Sequence, residues 1–286
     1  MWAAPLIEAF RGSARASFRL RSLAAALLAC GVAGCALTGN VKPAPSASPG
    51  TGASALLAGL ADRDRSLHSI RSGAVMEYSG ANGHFRTHEE IALARPASMR
   101  VEAVAPFGAT MVFAADNAGR LTIFDPGKNV LMSGEANAAT LARYVQIPLT
   151  PAAAVNLLMG LAPDSAQLSK TPDSVSDTDG MTIAAWRLAD GGTREIGFSG
   201  GQLAVIRERD AAGAERYAIK YSDWRDTDGI GFPDKLEADF PANRITLRYQ
   251  GPALNAAIAP TAFVLTPAPG TRQISIDAGA APGSSS

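Results

Sequence analysis

The sequence predicts an α+β fold: a strongly curved, open antiparallel sheet with about three helices covering its mouth. Two observations carry this reading. Residues 71–132 and 181–249 form two long runs that alternate apolar and polar with period two, broken only by short turn signals. Three amphipathic stretches, near 54–68, 137–145 and 150–160, lie in front of and between those runs. A helix with one apolar face beside a sheet with one apolar face buries both by packing in the concave side.

The N-terminal part has its own logic. Arg11, Arg15, Arg19 and Arg21 precede an apolar run at 23–32 that ends in Val32-Ala33-Gly34-Cys35. A run of about ten residues is too short to cross a bilayer, which takes roughly 20, but it suits the apolar region of a signal peptide. Small residues directly before a cysteine resemble a bacterial lipobox. Residues 1–34 are therefore expected to be removed as a lipoprotein signal peptide, with the Cys35 thiol carrying lipid. Each buried CH₂ contributes about 0.8 kcal/mol, so several acyl chains anchor firmly. Residues 1–34 hold four of the 26 basic and one of the 26 acidic side chains, leaving 22 and 25, formally net −3. That leaves no basic excess for nucleic acid. Cys30 departs with the signal and Cys35 is used by lipid, so no disulfide and no thiolate metal site is expected.

Residues 35–53 are rich in Pro, Gly, Ser and Ala and nearly uncharged, the composition of a flexible tether. Ser54 is the expected cap of a helix to about His68, with Leu56, Leu57, Leu60 and Leu67 on one face. Strands are expected at 75–78, 84–94, 99–105, 109–115, 121–124 and 129–132, with Asp125-Pro126-Gly127 as a turn. Asn137 caps a short helix to Val145, and Thr150-Pro151 opens another that stops at Gly160. Residues 164–180 are polar and read as a loop. The second strand run comprises 182–188, 193–198, 202–209, 215–224, 235–240 and 244–249, with edge pieces at 263–266 and 273–276 and a disordered tail at 278–286.

Chemistry is scarce. Gly197-Phe198-Ser199-Gly200-Gly201 has the spacing of a nucleophile elbow, but a strand follows where a helix is needed, so it reads as a hairpin turn. His84 and His88 beside Glu89 and Glu90 suggest a metal; on a strand the histidines stand about 13 Å apart, too far for one ion, and all four read as solvent-facing. Asp173, Asp177 and Asp179, and the aspartates of 223–229, lack calcium-loop spacing. No phosphate loop is present. No enzyme activity and no cofactor is expected. One turn is unusual: Pro106-Phe107-Gly108 places a large apolar residue at a tip, where turns favour Gly, Asn, Asp and Ser. Phe107 either folds back on the core or protrudes into a membrane or partner.

Two stretches carry a family resemblance. Ala105-Pro106-Phe107-Gly108-Ala109-Thr110 resembles the Pro-Leu-Gly-Ser/Thr turn of the outer-membrane lipoprotein receptor LolB. Residues 144–151 leading to Leu157-Leu158-Met159-Gly160-Leu161-Ala162-Pro163 resemble the two-helix segment of the same family. The likeness runs from about 54 to 250. It implies an incomplete antiparallel β-barrel with a helical lid, an apolar cavity for lipoprotein acyl chains, and an apolar tip, here Phe107, that assists insertion into the outer membrane. The cavity is expected to draw on Met99, Val101, Leu157, Leu158, Tyr217, Ile219, Leu236 and Leu247. The implied partners are a LolA-like periplasmic carrier and the outer membrane, reached through the lipid anchor on its periplasmic side; a monomer is expected. Ala36 and Leu37 follow Cys35, without the Asp that signals inner-membrane retention in enteric bacteria. The organisation is then signal peptide 1–34, lipidated cysteine and linker 35–53, LolA/LolB-like domain 54–250, C-terminal extension 251–277 and tail 278–286. The extension has no counterpart in the LolB pattern. A structural or assembly lipoprotein using the fold only as a scaffold is the alternative; an open apolar cavity favours the receptor, a filled interior the scaffold.

Overall fold

Alternation of apolar and polar residues is what builds this molecule, and a computed structural model shows where each alternating face goes. It describes residues 52–81, 83–104, 110–116 and 118–276. Cys35, the tether up to residue 51, the tail and the Pro106-Phe107-Gly108 turn lie outside the described residues. Helix α1 (Ala53–Ser66) opens the described chain. Six strands follow: β1 (Ser69–Gly80), β2 (Gly83–Ala94), β3 (Ser98–Val104), β4 (Thr110–Ala115), β5 (Arg120–Asp125) and β6 (Val130–Glu135). Helices α2 (Ala138–Val145) and α3 (Pro151–Leu158) come next, then a 3₁₀ turn at Ser165–Ser169. The second run is β7 (Ser174–Thr178), β8 (Met181–Arg187), β9 (Thr193–Ser199), β10 (Gln202–Arg209), β11 (Glu215–Thr227), β12 (Ile230–Phe240) and β13 (Asn243–Leu254). A 3₁₀ turn at Pro260–Phe263 and β14 (Arg272–Ile276) complete it.

The described strands form one sheet in the order β14-β6-β5-β4-β3-β2-β1-β13-β12-β11-β10-β9-β8-β7. It is open, with β14 and β7 as its edges. Each run is a meander, and the two join where β1 pairs antiparallel with β13, Met76 opposite Leu247. Curvature follows from what the strands share. Laid flat, β4 and β11 would stand about 29 Å apart at roughly 4.8 Å per strand, yet Phe113 of β4 and Ile219 of β11 line one cavity.

Local chemistry explains the helices. Asn137 accepts from the backbone N–H groups of Ala139 and Thr140 at 3.0 Å, and the Thr140 hydroxyl accepts from the Asn137 N–H, a reciprocal capping box. The Thr150 hydroxyl accepts from Ala153 N–H ahead of Pro151 at the first helical position. α1 departs from expectation: Gly52, not Ser54, is its N-cap, and no side chain caps it. Its Leu56, Leu57 and Leu60 are nevertheless buried, together with Leu67.

Three further expectations are corrected. Residues 164–180 are not a loop throughout: they contain the 3₁₀ turn and β7, whose five residues are all exposed. Residues 263–266 are not a strand; Phe263 ends a 3₁₀ turn, is itself buried, and lies beside β3, where Arg100 Nη1 donates to Ala262 O at 2.9 Å. And the sheet is not wholly antiparallel, because β14 pairs parallel with β6. That pairing requires glycine at 134, where a Cβ would sit 1.7 Å from Ile276 O.

Candidate functional site

The interior divides into a filled part and an open part. Toward β8–β10, Leu56, Leu57 and Leu60 of α1 belong to one continuous core with Trp186, Ile196, Phe198 and Ile206. Toward β1–β4, the curved sheet and helices α2 and α3 leave a cavity of about 190 Å³. For comparison, an apolar cavity of about 150 Å³ stays dry and accepts a benzene-sized ligand. The floor comes from inward positions of seven neighbouring strands: Met76 and Tyr78 of β1, Ile91 of β2, Met99, Val101 and Ala103 of β3, Met111 and Phe113 of β4, Ile219 of β11, Leu236 and Ala238 of β12, and Ile245 and Leu247 of β13. The cover comes from Leu141, Tyr144 and Val145 of α2, Gln146, Ile147 and Leu149 of the connection, and Ala154, Leu157 and Leu158 of α3. Deep residues such as Met99, Phe113, Leu157 and Leu236 are buried, whereas Phe85, Tyr144, Gln146, Leu158 and Phe240 remain partly exposed and form a rim.

Both cover helices are fastened by polar bonds. At the C-terminal end of α3, where carbonyls have no partners within the helix, Tyr221 Oη donates to Leu157 O at 3.0 Å and Tyr249 Oη to Leu158 O at 2.7 Å. Arg63 of α1 donates to Gly160 O and lies 4.6 Å from the centre of the Trp224 ring. Burial pulls the Arg63 pKa down to about 10, and burial raises both tyrosines well above the ordinary phenol. Gly160 has φ +68°, and a Cβ there would meet the Pro233 ring at 3.0 Å. α2 is held through Gln146, left-handed at φ 60°: its side-chain Oε1 accepts from Tyr78 Oη at 2.6 Å, and its carbonyl from Asn243 Nδ2 at 3.3 Å.

Of the eight residues expected in the cavity, Met99, Val101, Leu157, Leu158, Ile219, Leu236 and Leu247 line it. Tyr217 does not. It is buried on the same face of β11, but the register sets it beside Glu208 of β10, and its hydroxyl donates to Glu208 Oε2 at 3.0 Å. Arg194 at 2.8 Å and Arg216 at 3.1 Å hold the same carboxylate. Pro106, Phe107 and Gly108 fall between β3 and β4, whose last described inward pair, Ala103 and Met111, lines the cavity.

One lining residue was read otherwise from the sequence. His84, His88 and Glu90 face solvent as expected, but Glu89 does not. Period two places it inward with Thr87 and Ile91, and it is only 2% exposed. Thr87 Oγ1 donates to Glu89 Oε1 at 2.5 Å, while Glu89 Oε2 has no hydrogen-bond partner. Burial raises its pKa to about 7, against the smaller opposing effect of the Thr87 bond. Among the described lining residues it is the only carboxylate, and no Lys, Arg or His accompanies it. The signal was present: of two adjacent acids in an alternating strand, one must point inward.

Among the described residues no group of three or more His, Cys, Asp or Glu is placed to hold a metal ion, and no helix is long and apolar enough to cross a membrane.

An open, curved sheet, helices across its mouth and an apolar cavity between them make an incomplete barrel with a helical cover, the architecture that the sequence resemblance implies. No family model matches the sequence, and no curated protein matches it. Among solved structures the chain is similar to a DUF1329 family protein from Desulfovibrio piger, with TM-score 0.53 and 10% identity, covering 73% of this chain and 96% of that one. It is also similar, at TM-score 0.47 and 10% identity, to a LolA superfamily protein from Nitrosomonas europaea, over 74% of this chain and 96% of that one. At such identities the first likeness is one of fold, and the second is too distant to carry an argument.

Proposed function

We propose that this protein is a lipid-anchored receptor of the cell envelope that holds lipoprotein acyl chains in its cavity and helps insert lipoproteins into the outer membrane. The observation that carries the reading is the cavity itself: about 190 Å³ between sheet and helices, lined by apolar side chains with few polar exceptions. A scaffold has no use for such a space, since an unfilled apolar cavity costs stability through lost contacts. An acyl chain entering it exchanges water for apolar contacts at about 0.8 kcal/mol per buried CH₂.

In this reading Cys35 carries the anchor on the periplasmic face of the outer membrane, and the linker 35–53 gives the domain reach. Phe107, in the segment that joins β3 to β4, supplies the apolar tip. Cargo arrives from a LolA-like periplasmic carrier, and the protein works as a monomer without covalent chemistry. The test is binding of an apolar fluorescent probe and its displacement by a long-chain acyl compound. Leu158→Glu, at the half-buried rim of the cavity, should weaken the probe by about tenfold or more, because a carboxylate there loses solvation when the chain lies against it. A folded protein that takes up no acyl compound would favour the scaffold.

A further inference from the structure

Glu89 has no place in a cavity that only needs to be greasy. A carboxyl buried among apolar side chains loses its hydration, and the cost is offset only by hydrogen bonds. Thr87 supplies one, to Oε1; Oε2 is buried and has none. The residue is 2% exposed and lines the cavity. Its cross-strand neighbours, Ala74 on β1 and Ala103 on β3, are small and carry no polar side-chain atom. The space over Oε2 is therefore left to whatever enters.

We propose that Glu89 is the polar anchor of the cavity, taking the hydrogen-bond donor of an amphiphile, a hydroxyl or amide N–H attached to an acyl chain, and turning anionic heads away. This rests on the acyl-chain reading above and adds a ligand class to it. Charge argues for the selectivity. The titratable groups lining the cavity among the described residues are Glu89, Tyr78 and Tyr144; none is a cation that would hold a carboxylate or phosphate. Tyr78 already donates to Gln146. Position agrees: Glu89 stands opposite Ala103, one residue before the last described position of β3, so a chain buried beyond it toward Met99 leaves its polar end at the Val104 end of that strand. A protonated or an ionised Glu89 can each accept such a donor, so the contact survives the titration that burial brings close to neutrality.

The experiment uses the full chain carrying Cys35→Ala, in which the sulfur that would take lipid is gone. Dodecane, dodecanol and dodecanoate each displace an apolar fluorescent probe from this protein and from its Glu89→Leu and Glu89→Gln forms. Glu89→Leu should weaken dodecanol by roughly tenfold, the equivalent of one buried hydrogen bond to a charged group, while dodecane binds at least as well and dodecanoate binds better. Glu89→Gln, close in shape and still an acceptor, should keep dodecanol within about threefold and also improve dodecanoate. If dodecane binds but Glu89→Leu changes dodecane and dodecanol by the same factor, the anchor is refuted and the cavity stands. If neither dodecane nor dodecanol binds a folded protein, both readings fall.

Discussion

A buried, half-partnered carboxyl should leave a mark on the pH dependence of stability, and Glu89 is the place to look for it. Its pKa rises from 4.5 to about 7 on folding, with burial as the main cause. Because the folded pKa lies above the unfolded one, the native state binds the proton more tightly. Stability contributed by this group is full below pH 4.5, declines as pH rises, and is lost above about pH 7. Integrating between about pH 5 and about pH 8 gives a loss on the order of 2–3 kcal/mol, most of the effect of the whole shift. Asp234 is shifted upward too, while Asp190, Asp239 and Glu237 are shifted downward and act in the opposite sense. The wild-type profile alone is therefore a mixture, and the difference from Glu89→Gln isolates one group. Urea unfolding of both proteins at the two pH values, with a slope of about 2–3 kcal/mol per M, should show Glu89→Gln gaining roughly 1 M in midpoint relative to wild type on going to the higher pH. Parallel profiles, with the two midpoints keeping a constant separation, would refute the argument that Glu89 is desolvated.

Three other outcomes are expected. Cys35→Ala should abolish lipid attachment and leave the protein either uncleaved or released from the membrane fraction; an acylated N-terminus on the variant, seen by mass spectrometry, would overturn the lipobox. Phe107→Leu should insert cargo into liposomes at nearly the wild-type rate and Phe107→Glu should be the poorest inserter, with stability changed by roughly 0.5 kcal/mol or less in Phe107→Ala if the ring protrudes; a core-sized loss of about 3–5 kcal/mol would instead place the ring inside. Tyr221→Phe removes the donor to Leu157 O and should cost about 1–2 kcal/mol in chemical denaturation, with faster exchange of bound probe because the end of α3 is loosened; unchanged exchange would argue that α3 does not gate the cavity.

Much of the fold was legible because its determinants are local. The alternation Met99, Val101 against Arg100, Glu102 gives β3 its two faces, and Asn137 and Thr150-Pro151 give two helix starts by capping chemistry alone. What was missed depends on partners. β7 has no apolar alternation because it is an edge strand with both faces in water, so 174–178 reads as loop. From sequence β1 reads as starting at Val75, later than its true start at Ser69, because the pairing with β13 shifts register between Arg71 and Gly73 and the bulge interrupts the period. No pattern within 272–276 says that it lies parallel to β6; the trace is left on the other strand, at Gly134. In the site, seven of the eight expected lining positions were accessible from apolar periodicity, since an inward apolar residue is core or cavity. Tyr217 shows where that reasoning stops: face is local, but the neighbour that takes the hydroxyl is set by register with β10. Glu89 was hidden by its neighbour Glu90, with which it reads as a charged pair when the strand's phase is ignored.

The joining of β1 to β13 also sets an order of events. Within each meander a strand waits only for the next turn, and such short-range contacts form early because little loop entropy opposes them. β1 pairs with β2 at once, but its other edge has no partner until β13 exists, after residues 81–242 have been made. The strand that ends at the centre of the finished sheet thus begins as an open edge. Over its length it carries Arg71 and Glu77 as its only charges, beside Val75, Met76 and Tyr78, which is thin protection against pairing with another chain. Closure of this seam pairs residues as far apart in sequence as Ile70 and Leu254, the kind of contact that loop entropy delays, and a chain halted before β13 presents an unpaired apolar strand in place of a cavity.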